Sequence, residues 1–316
     1  MTPALDTSRQ AKVVAQAQAV LSQHAKSFQL ASLFLPKEKA ADAAILYQFC
    51  RLVDDAVDEA DNLEQALQNI QQIRREIAGK YSARPAIESF VAMSKRLAIP
   101  KDTAKDLIKG VMSDLGQVRI QTDKELAIYC YRVAGVVGRM MCCVIGVNSP
   151  KAIPHAIDLG IAMQITNICR DVMEDADRDR IYIPANRMKQ ANILAKHLLL
   201  HRVPHNNISA AITELLQLAE QCYRRARLGM HYIPFRTRIA ILIASRVYRA
   251  IGRKLQRTHG ANPMHGRTVV SKAGKFWQVF LGLLDAFHPV TLGWVKPKIP
   301  PSYFYQHWSD LQSPEA

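Results

Sequence analysis

The sequence lacks the signals of secreted and disulfide-linked proteins. Its first ten residues contain no basic start followed by an apolar run, so we expect no secretory signal. Only six of the 316 residues are cysteines, and none has C-x-x-C spacing. In a chain of this length such cysteines are expected to be buried thiols in a reducing compartment, which favours the cytoplasm.

Strand signals are almost absent as well. Runs that alternate apolar and polar residues are missing, whereas Ala, Leu, Gln, Lys and Arg recur at helical spacing. No long Gly/Ser linker divides the chain, so we predict an all-α protein with one domain at 1–290 and a Pro-rich tail at 291–316. The predicted helices cover residues 8–25, 37–60, 63–80, 86–97, 101–118, 124–146, 152–175, 208–229, 237–258 and 271–286.

Acidic residues are outnumbered by basic ones. The chain has 27 Asp and Glu against 42 Lys and Arg, which gives a net charge of +15. This excess favours an anionic partner: a nucleic acid, an acidic membrane surface or a polyanionic substrate. No basic motif interleaved with aromatic residues accompanies the charge, so nucleic-acid binding is not expected.

One apolar segment near the C-terminus carries a single charge. Between Phe276 and Val295 only Asp285 is charged, and the length is close to that of a membrane span. His288 and Pro289 interrupt the segment, so we do not expect it to cross a membrane. We interpret it as a core helix followed by a packed tail, and the alternative is an amphipathic segment that contacts a lipid monolayer.

Two acidic stripes stand out on otherwise apolar helices. In the first, Tyr47, Arg51, Asp54 and Asp58 follow one another at steps of four, three and four, and Asp55 lies beside them. Apolar residues fill the neighbouring face and leave little other polar surface on the helix. The stripe is therefore expected to line an internal cavity, where ionised carboxylates need cations or arginine partners.

The second stripe repeats this arrangement more than a hundred residues later. Gln164, Asn167, Asp171, Glu174 and Asp175 share one side of a helix whose other side is rich in isoleucine. Carboxylate oxygens are the ligands that Mg²⁺ takes in proteins, usually together with substrate phosphate oxygens. If the two stripes face each other, they predict a cage for divalent cations and diphosphate.

Four ordered motifs give the chain a resemblance to the squalene/phytoene synthase family, the head-to-head prenyl synthases. The match covers roughly residues 20–270, and four motifs in the right order make chance an unlikely explanation. The motifs are Lys26-Ser27-Phe28 with Leu35-Pro36, Tyr47-x-x-Cys50-Arg51-x-x-Asp54-Asp55-x-x-Asp58, Tyr129-Cys130-Tyr131-x-Val133-Ala134-Gly135, and Gln164-x-x-Asn167-x-x-Arg170-Asp171-x-x-x-Asp175 followed by Arg180-x-Tyr182-x-Pro184.

The resemblance implies an isoprenoid-synthase helical bundle around a central cavity, and it also implies roles for individual residues. The implied Mg²⁺ ligands, with Mn²⁺ as an alternative ion, are Asp54, Asp58, Asp171 and Asp175, assisted by Asp55 and Asn167. The residues implied to bind substrate are Lys26, Ser27, Arg51, Gln164, Asn167, Arg267 and Lys272. Those implied to act near the reacting carbons are Tyr47, Tyr129 and Tyr248, together with Arg51.

The activity implied by the resemblance is the Mg²⁺-dependent condensation of two geranylgeranyl diphosphates to phytoene through a cyclopropylcarbinyl diphosphate. One alternative is a C30 enzyme that makes dehydrosqualene, squalene or hydroxysqualene from farnesyl diphosphate. Another is a non-catalytic isoprenoid-binding homologue, which the intact motif aspartates disfavour. NADPH is not expected, although the absence of a glycine-rich dinucleotide motif does not exclude it. Because the product is insoluble in water, we expect peripheral contact with a membrane.

Overall fold

The computed structural model describes residues 7–298 and confirms the prediction of an all-α fold. Two short parallel strands, β1 (Val118–Arg119) and β2 (Arg180–Ile181), accompany the helices, with Val118 opposite Arg180. The helices are α1 (Thr7–His24), α2 (Lys26–Ser32), α3 (Lys37–Asp58), α4 (Leu63–Ile77), α5 (Pro85–Arg96), α6 (Lys101–Met112), α7 (Asp123–Cys130), α8 (Val136–Ile145), α9 (Ile153–Arg170), α10 (Val172–Asp177), α11 (Ala185–Gln190), α12 (Ala195–Leu199), α13 (His205–Leu228), α14 (Phe235–His259) and α15 (Lys272–Asp285).

Proline residues mark the starts of several helices. Pro36, Pro204 and Pro234 occupy the N-cap positions of α3, α13 and α14. A proline is tolerated there because the helix needs no hydrogen bond from its nitrogen, and its extended backbone leads into the first turn. The predicted helix start at residue 37 is confirmed, and the helix predicted from residue 237 begins two residues earlier.

Two of the predicted helices are interrupted. The helix predicted at 152–175 breaks at Asp171, where φ is −104° and ψ is 17°, and α10 begins at the next residue. The helix predicted at 124–146 contains a π-helical turn at Tyr131–Gly135. Neither interruption is marked by proline, so the apolar spacing alone predicts continuous helices; π-helical turns are common near functional sites.

The core is organised around α9, which packs against α8, α13 and α14. Two glycines allow α8 and its neighbouring turn to approach α9 closely. A Cβ atom on Gly138 would lie 2.3 Å from the carbonyl oxygen of Ala156, and one on Gly160 would lie 2.3 Å from that of Ala134. At these two points the helices therefore touch backbone to backbone.

One segment within residues 7–298 is long and apolar enough to cross a membrane. It runs from Asp123 to Ile145, has a mean hydropathy of 1.5 and is half buried in the fold. Buried core helices have the same length and composition, and this segment packs against α6 and α9. We therefore describe it as part of the core.

The interpretation of 276–295 as a core helix with a packed tail is only partly right. Phe276, Trp277 and Phe280 of α15 are exposed, because α15 lies on the outside of α14 and buries only its Gly282 side. By contrast, Thr291 is fully buried and its carbonyl accepts a hydrogen bond from Arg238 at 3.2 Å. The tail predicted at 291–316 thus begins with packed residues, and its part from 299 onward lies outside the described residues.

Candidate active site

A long cavity runs through the bundle beside α9. Its walls come from α2, α3, α8, α9, α13 and α14, and its empty space, including the open mouth, is about 1510 Å³. Most of the lining side chains are apolar or small. Four polar lining residues lie toward the C-terminal end of α9, which we call the polar end: Gln164, Asn167, Tyr47 and Tyr248.

Three aromatic rings form one wall near this polar end. The ring of Phe28 stacks on that of Tyr248, with centroids 4.9 Å apart, and lies 6.4 Å from that of Tyr47. Burial raises the pKa of Tyr47 to about 12 and also raises that of Tyr248. Both phenols are therefore neutral at physiological pH, and both residues line the cavity.

The first acidic stripe lies at the end of α3 and is held by arginines. The Nη2 atom of Arg51 lies 2.5 Å from Asp55, and its Nη1 atom lies 3.7 Å from Asp54. Arg178 and Arg180 each donate to Asp58 at 2.7 Å. Burial, and then the neighbouring Asp58 carboxylate, raise the pKa of Asp54 to about 6.

The second stripe lies at the junction of α9 and α10. Asp171 accepts hydrogen bonds from Nε of Arg170 at 2.7 Å and from Nε of Arg267 at 3.2 Å. Asp175 has no ion pair among the described residues, and burial followed by the Asp171 carboxylate raises its pKa to about 7. The Oδ1 atom of Asn167 is buried without a hydrogen-bond partner in the same part of the structure.

A buried carboxylate that we did not predict lies between the two stripes. Asp114 accepts hydrogen bonds from the hydroxyls of Tyr129, at 3.1 Å, and Tyr182, at 2.6 Å. Burial raises its pKa to about 6, with a smaller contribution from the Asp54 carboxylate, and the charge of Asp114 in turn helps to raise the pKa of Asp175. The sequence analysis noted Tyr182 only as part of the Arg180-x-Tyr182 motif and did not connect it with Asp114.

Comparison with known sequences identifies the family. The sequence profile described as squalene/phytoene synthase matches residues 21–274, most of the chain. The chain belongs to the squalene/phytoene synthase family. It is therefore a prenyltransferase of the phytoene/squalene synthase type, and this family acts on prenyl diphosphates.

Individual relatives support the assignment. The chain is 36% identical to the phytoene synthase of Thermus thermophilus over 85% of this chain and 90% of that one. It is 33% identical to the phytoene synthase of Rhodobacter capsulatus over 82% of this chain and 78% of that one. A crystal structure of a dehydrosqualene synthase with a bound ligand superposes with a TM-score of 0.79 at 26% identity, covering 87% of this chain and 96% of that one.

Two of the residues implied for substrate binding line the cavity, and a third contacts the second stripe. Arg267 reaches Asp171 from the loop before α15, and Gln164 and Asn167 line the cavity. Lys26 and Ser27 open α2, the helix that carries Phe28.

Two of the implied residues lie elsewhere. Tyr129 is not part of the cavity lining; it is buried against Asp114, and its ring stacks on that of Tyr182 at 4.7 Å. Lys272 is the exposed first residue of α15, and no contact with the aspartates is recorded for it within residues 7–298. The roles implied for both residues stay predictions.

The side chains of the two stripes suit a divalent cation that arrives with diphosphate. Within residues 7–298 no three His, Cys, Asp or Glu side chains already form a metal site. However, Asp54 and Asp175 are carboxylates whose burial disfavours their charge, and Asn167 offers an unpartnered oxygen. Mg²⁺ takes few protein ligands and completes its shell with water and phosphate oxygens, so this donor set fits it.

Proposed function

We propose that this prenyltransferase is a phytoene synthase, which joins two geranylgeranyl diphosphates head to head in a Mg²⁺-dependent reaction. Two kinds of observation support the proposal: the relatives named phytoene synthase, and the cavity length that follows from the stretch of α9 lining it. The cavity length is the observation that carries the choice of substrate.

The cavity follows α9 from Asn167 down to His155. These residues are twelve positions apart, which corresponds to about 18 Å along a helix. At about 1.3 Å per carbon–carbon bond, an extended geranylgeranyl chain measures about 19 Å and a farnesyl chain about 14 Å. A geranylgeranyl chain whose diphosphate lies near Asn167 therefore reaches the residues at the far end.

The reaction begins with loss of diphosphate from the first substrate. Arg51, Arg170 and Arg267 supply positive charge beside the stripes, which stabilises the departing diphosphate. Mg²⁺ bound by Asp54, Asp58, Asp171 and Asp175 would add further charge neutralisation at the leaving group.

Carbon–carbon bond formation follows in the apolar part of the cavity. The double bond of the second substrate attacks the allyl cation, and loss of a proton closes a cyclopropylcarbinyl diphosphate. That intermediate loses its own diphosphate, rearranges and releases a second proton to give the linear hydrocarbon. The apolar walls exclude water from these cations, and the faces of Phe28, Tyr47 and Tyr248 stabilise them by cation–π contact.

The second candidate is C30 synthesis from farnesyl diphosphate, which the superposition on a dehydrosqualene synthase favours. The shorter farnesyl chain would leave the lower part of the cavity unfilled. Such a reaction would use the same stripes and differ in chain length, and in NADPH use if the product were squalene.

The test is product identity. Purified protein is incubated with Mg²⁺ and either geranylgeranyl or farnesyl diphosphate, with and without NADPH, and the hydrocarbons are separated by chromatography. We expect phytoene from geranylgeranyl diphosphate, no effect of NADPH, a kcat/KM at least tenfold lower for farnesyl diphosphate, and loss of turnover with a chelator. A C30 hydrocarbon as the main product would overturn the choice of substrate, and no turnover of either substrate would overturn the proposal.

A further inference from the structure

The outer side of α15 carries an exposed apolar stripe that the active site does not use. Phe276, Phe280, Leu284 and Phe287 follow one another at steps of four, four and three, and each is at least half exposed. Trp277, 57% exposed, lies beside them with its ring 5.4 Å from that of Phe280. We call this stripe the aromatic face.

Neighbouring segments extend the aromatic face beyond α15. Phe235, at the start of α14, places its ring 5.5 Å from that of Phe287, and Trp294 is 77% exposed. Single exposed apolar residues are common on proteins, but a continuous group of large ones marks an interaction surface. Trp and Phe are also the residues that amphipathic helices place at the boundary between lipid headgroups and acyl chains.

The charges around the aromatic face are of one sign. Lys272 and Lys275 lie at the first turn of α15, and Lys296 and Lys298 follow Trp294. The only acidic residue of 271–298, Asp285, is buried and paired with two arginines.

These pairs are well defined. Arg227 lies 2.7 Å and Arg246 lies 2.5 Å from the Asp285 carboxylate. The face therefore presents apolar rings flanked by positive charge, which complements an anionic lipid surface. In a two-fold dimer formed through this face, by contrast, the lysines of one copy would lie near the lysines of the other, and their like charges would repel.

The aromatic face also lies close to the cavity. Gly282 of α15 packs against Ile243 of α14, and the other side of α14 lines the cavity through Ala240, Ile241 and Ala244. One helix thus separates the apolar cavity from the aromatic face.

We propose that the aromatic face docks the protein on an anionic lipid bilayer, which makes it a peripheral membrane protein of the cytoplasm. Docking depends on burial of the aromatic rings among the headgroups and on attraction between the flanking lysines and acidic lipids. This surface is distinct from the catalytic residues, so docking and turnover can be tested separately.

The experiment is flotation of the full chain with vesicles of phosphatidylcholine alone or mixed with phosphatidylglycerol. We expect binding to the mixed vesicles that weakens with added salt and is at least tenfold weaker with phosphatidylcholine alone. Phe276→Ser, Trp277→Ser and Phe280→Ser in one variant should weaken binding at least tenfold. A matched control replaces three exposed apolar residues far from α15, Leu63→Ser, Leu67→Ser and Tyr81→Ser, and should bind like the wild type.

Charge and oligomeric state complete the test. Lys275→Gln with Lys296→Gln should weaken binding to mixed vesicles by about fivefold per lysine. Circular dichroism and turnover in detergent check that each variant is folded. Two results would overturn the proposal. The first is that the wild type does not bind vesicles, as expected if residues 299–316 or a second copy cover the aromatic face. The second is that the aromatic variant binds like the control. A wild-type dimer that the aromatic variant converts to monomers, with vesicle binding unchanged, would identify a subunit interface instead.

Discussion

Single carboxylates in the two stripes differ in their surroundings. Asp58 and Asp171 each contact two arginines, whereas Asp175 contacts none within the described residues. A carboxylate held by arginine keeps its charge without a metal, and one that is buried alone gains most from an added cation. The two kinds of carboxylate should therefore differ in how much an added cation stabilises their charge.

Removing a stripe carboxylate should abolish turnover without unfolding the protein. We expect Asp54→Ala and Asp171→Ala each to lower kcat by about a hundredfold or more, because each loses charge or a ligand next to the leaving diphosphate. Asp61→Ala, at an exposed position just after α3, is the control and should keep wild-type turnover. Wild-type activity in either stripe variant would show that the cage assignment is wrong.

The buried Asp114 should make stability depend on pH. Burial raises its pKa from 3.8 to about 6, so the charged carboxylate destabilises the folded state. The free energy of unfolding therefore falls as the pH rises from about 4 through 6. Asp114→Asn removes the charge, and its Tm relative to the wild type should be higher at pH 8 than at pH 5. The corresponding change in the free energy of unfolding is at most about 3 kcal/mol, at 1.36 kcal/mol per pKa unit. Asp61→Asn should show no such trend, and a constant Tm difference for Asp114→Asn would contradict the argument.

For individual residues, the sequence predicted which side chains share each stripe, but it did not predict the side chains that pack beside the stripes. Spacing alone placed Arg51, Asp54 and Asp58 on one side of a helix, because a helix repeats every three to four residues. Asp114 carries no such signal. Its burial comes from contacts with Tyr129 and Tyr182, which are distant in sequence and meet only in the folded chain.

Among the elements, α9 would limit the length of chain that the cavity accepts if the proposed substrate path is right. Ala156 faces the cavity about 16 Å along α9 from Asn167, between the reach of a farnesyl and of a geranylgeranyl chain. Ala156→Phe should lower kcat/KM for geranylgeranyl diphosphate by about a hundredfold and leave that for farnesyl diphosphate within about threefold. Product analysis should show a shift from C40 to C30 hydrocarbon.

Ala156→Ser is the matched control, because it adds one oxygen at the same position without filling the cavity. It should keep the wild-type preference. Equal losses for both substrates in Ala156→Phe would mean that chains do not run along α9 as argued.

Element boundaries were predictable where proline or a periodic apolar face marked them, as in α3, α4 and α14. The short helices α2, α11 and α12 were missed because a turn or two offers too few residues for a periodic pattern. The break at Asp171 was missed for a different reason: the apolar spacing continues across it, while Arg267, one of the two arginines that hold its side chain, comes from elsewhere in the fold.

The whole molecule assembles one site from distant parts of the chain. Arg178 and Arg180 reach Asp58, and Arg267 reaches Asp171, across 96 or more residues of sequence. A ligand that contacts both stripes should therefore stabilise the whole fold, because it binds only when these parts are assembled.

Mg²⁺ together with inorganic diphosphate should raise the Tm. At a concentration a hundred times Kd the gain is about 2.7 kcal/mol, which corresponds to about 4 °C for a protein of this size. Either component alone should give a smaller shift, a chelator should reverse it, and Asp171→Ala should abolish it while Asp61→Ala retains it. An unchanged Tm with both components present would contradict a shared site.

The contacts at Gly138 and Gly160 constrain how this enzyme can diversify. Because the backbones of α8 and α9 touch there, the distance between these helices cannot change without rebuilding the core. The width of the cavity beside them is therefore fixed by the fold. Its depth is set by individual side chains along α9. Under the proposed function, single substitutions at the far end would change product size and leave the carboxylates and arginines of the two stripes untouched, so chain length and catalysis would be separable targets for selection.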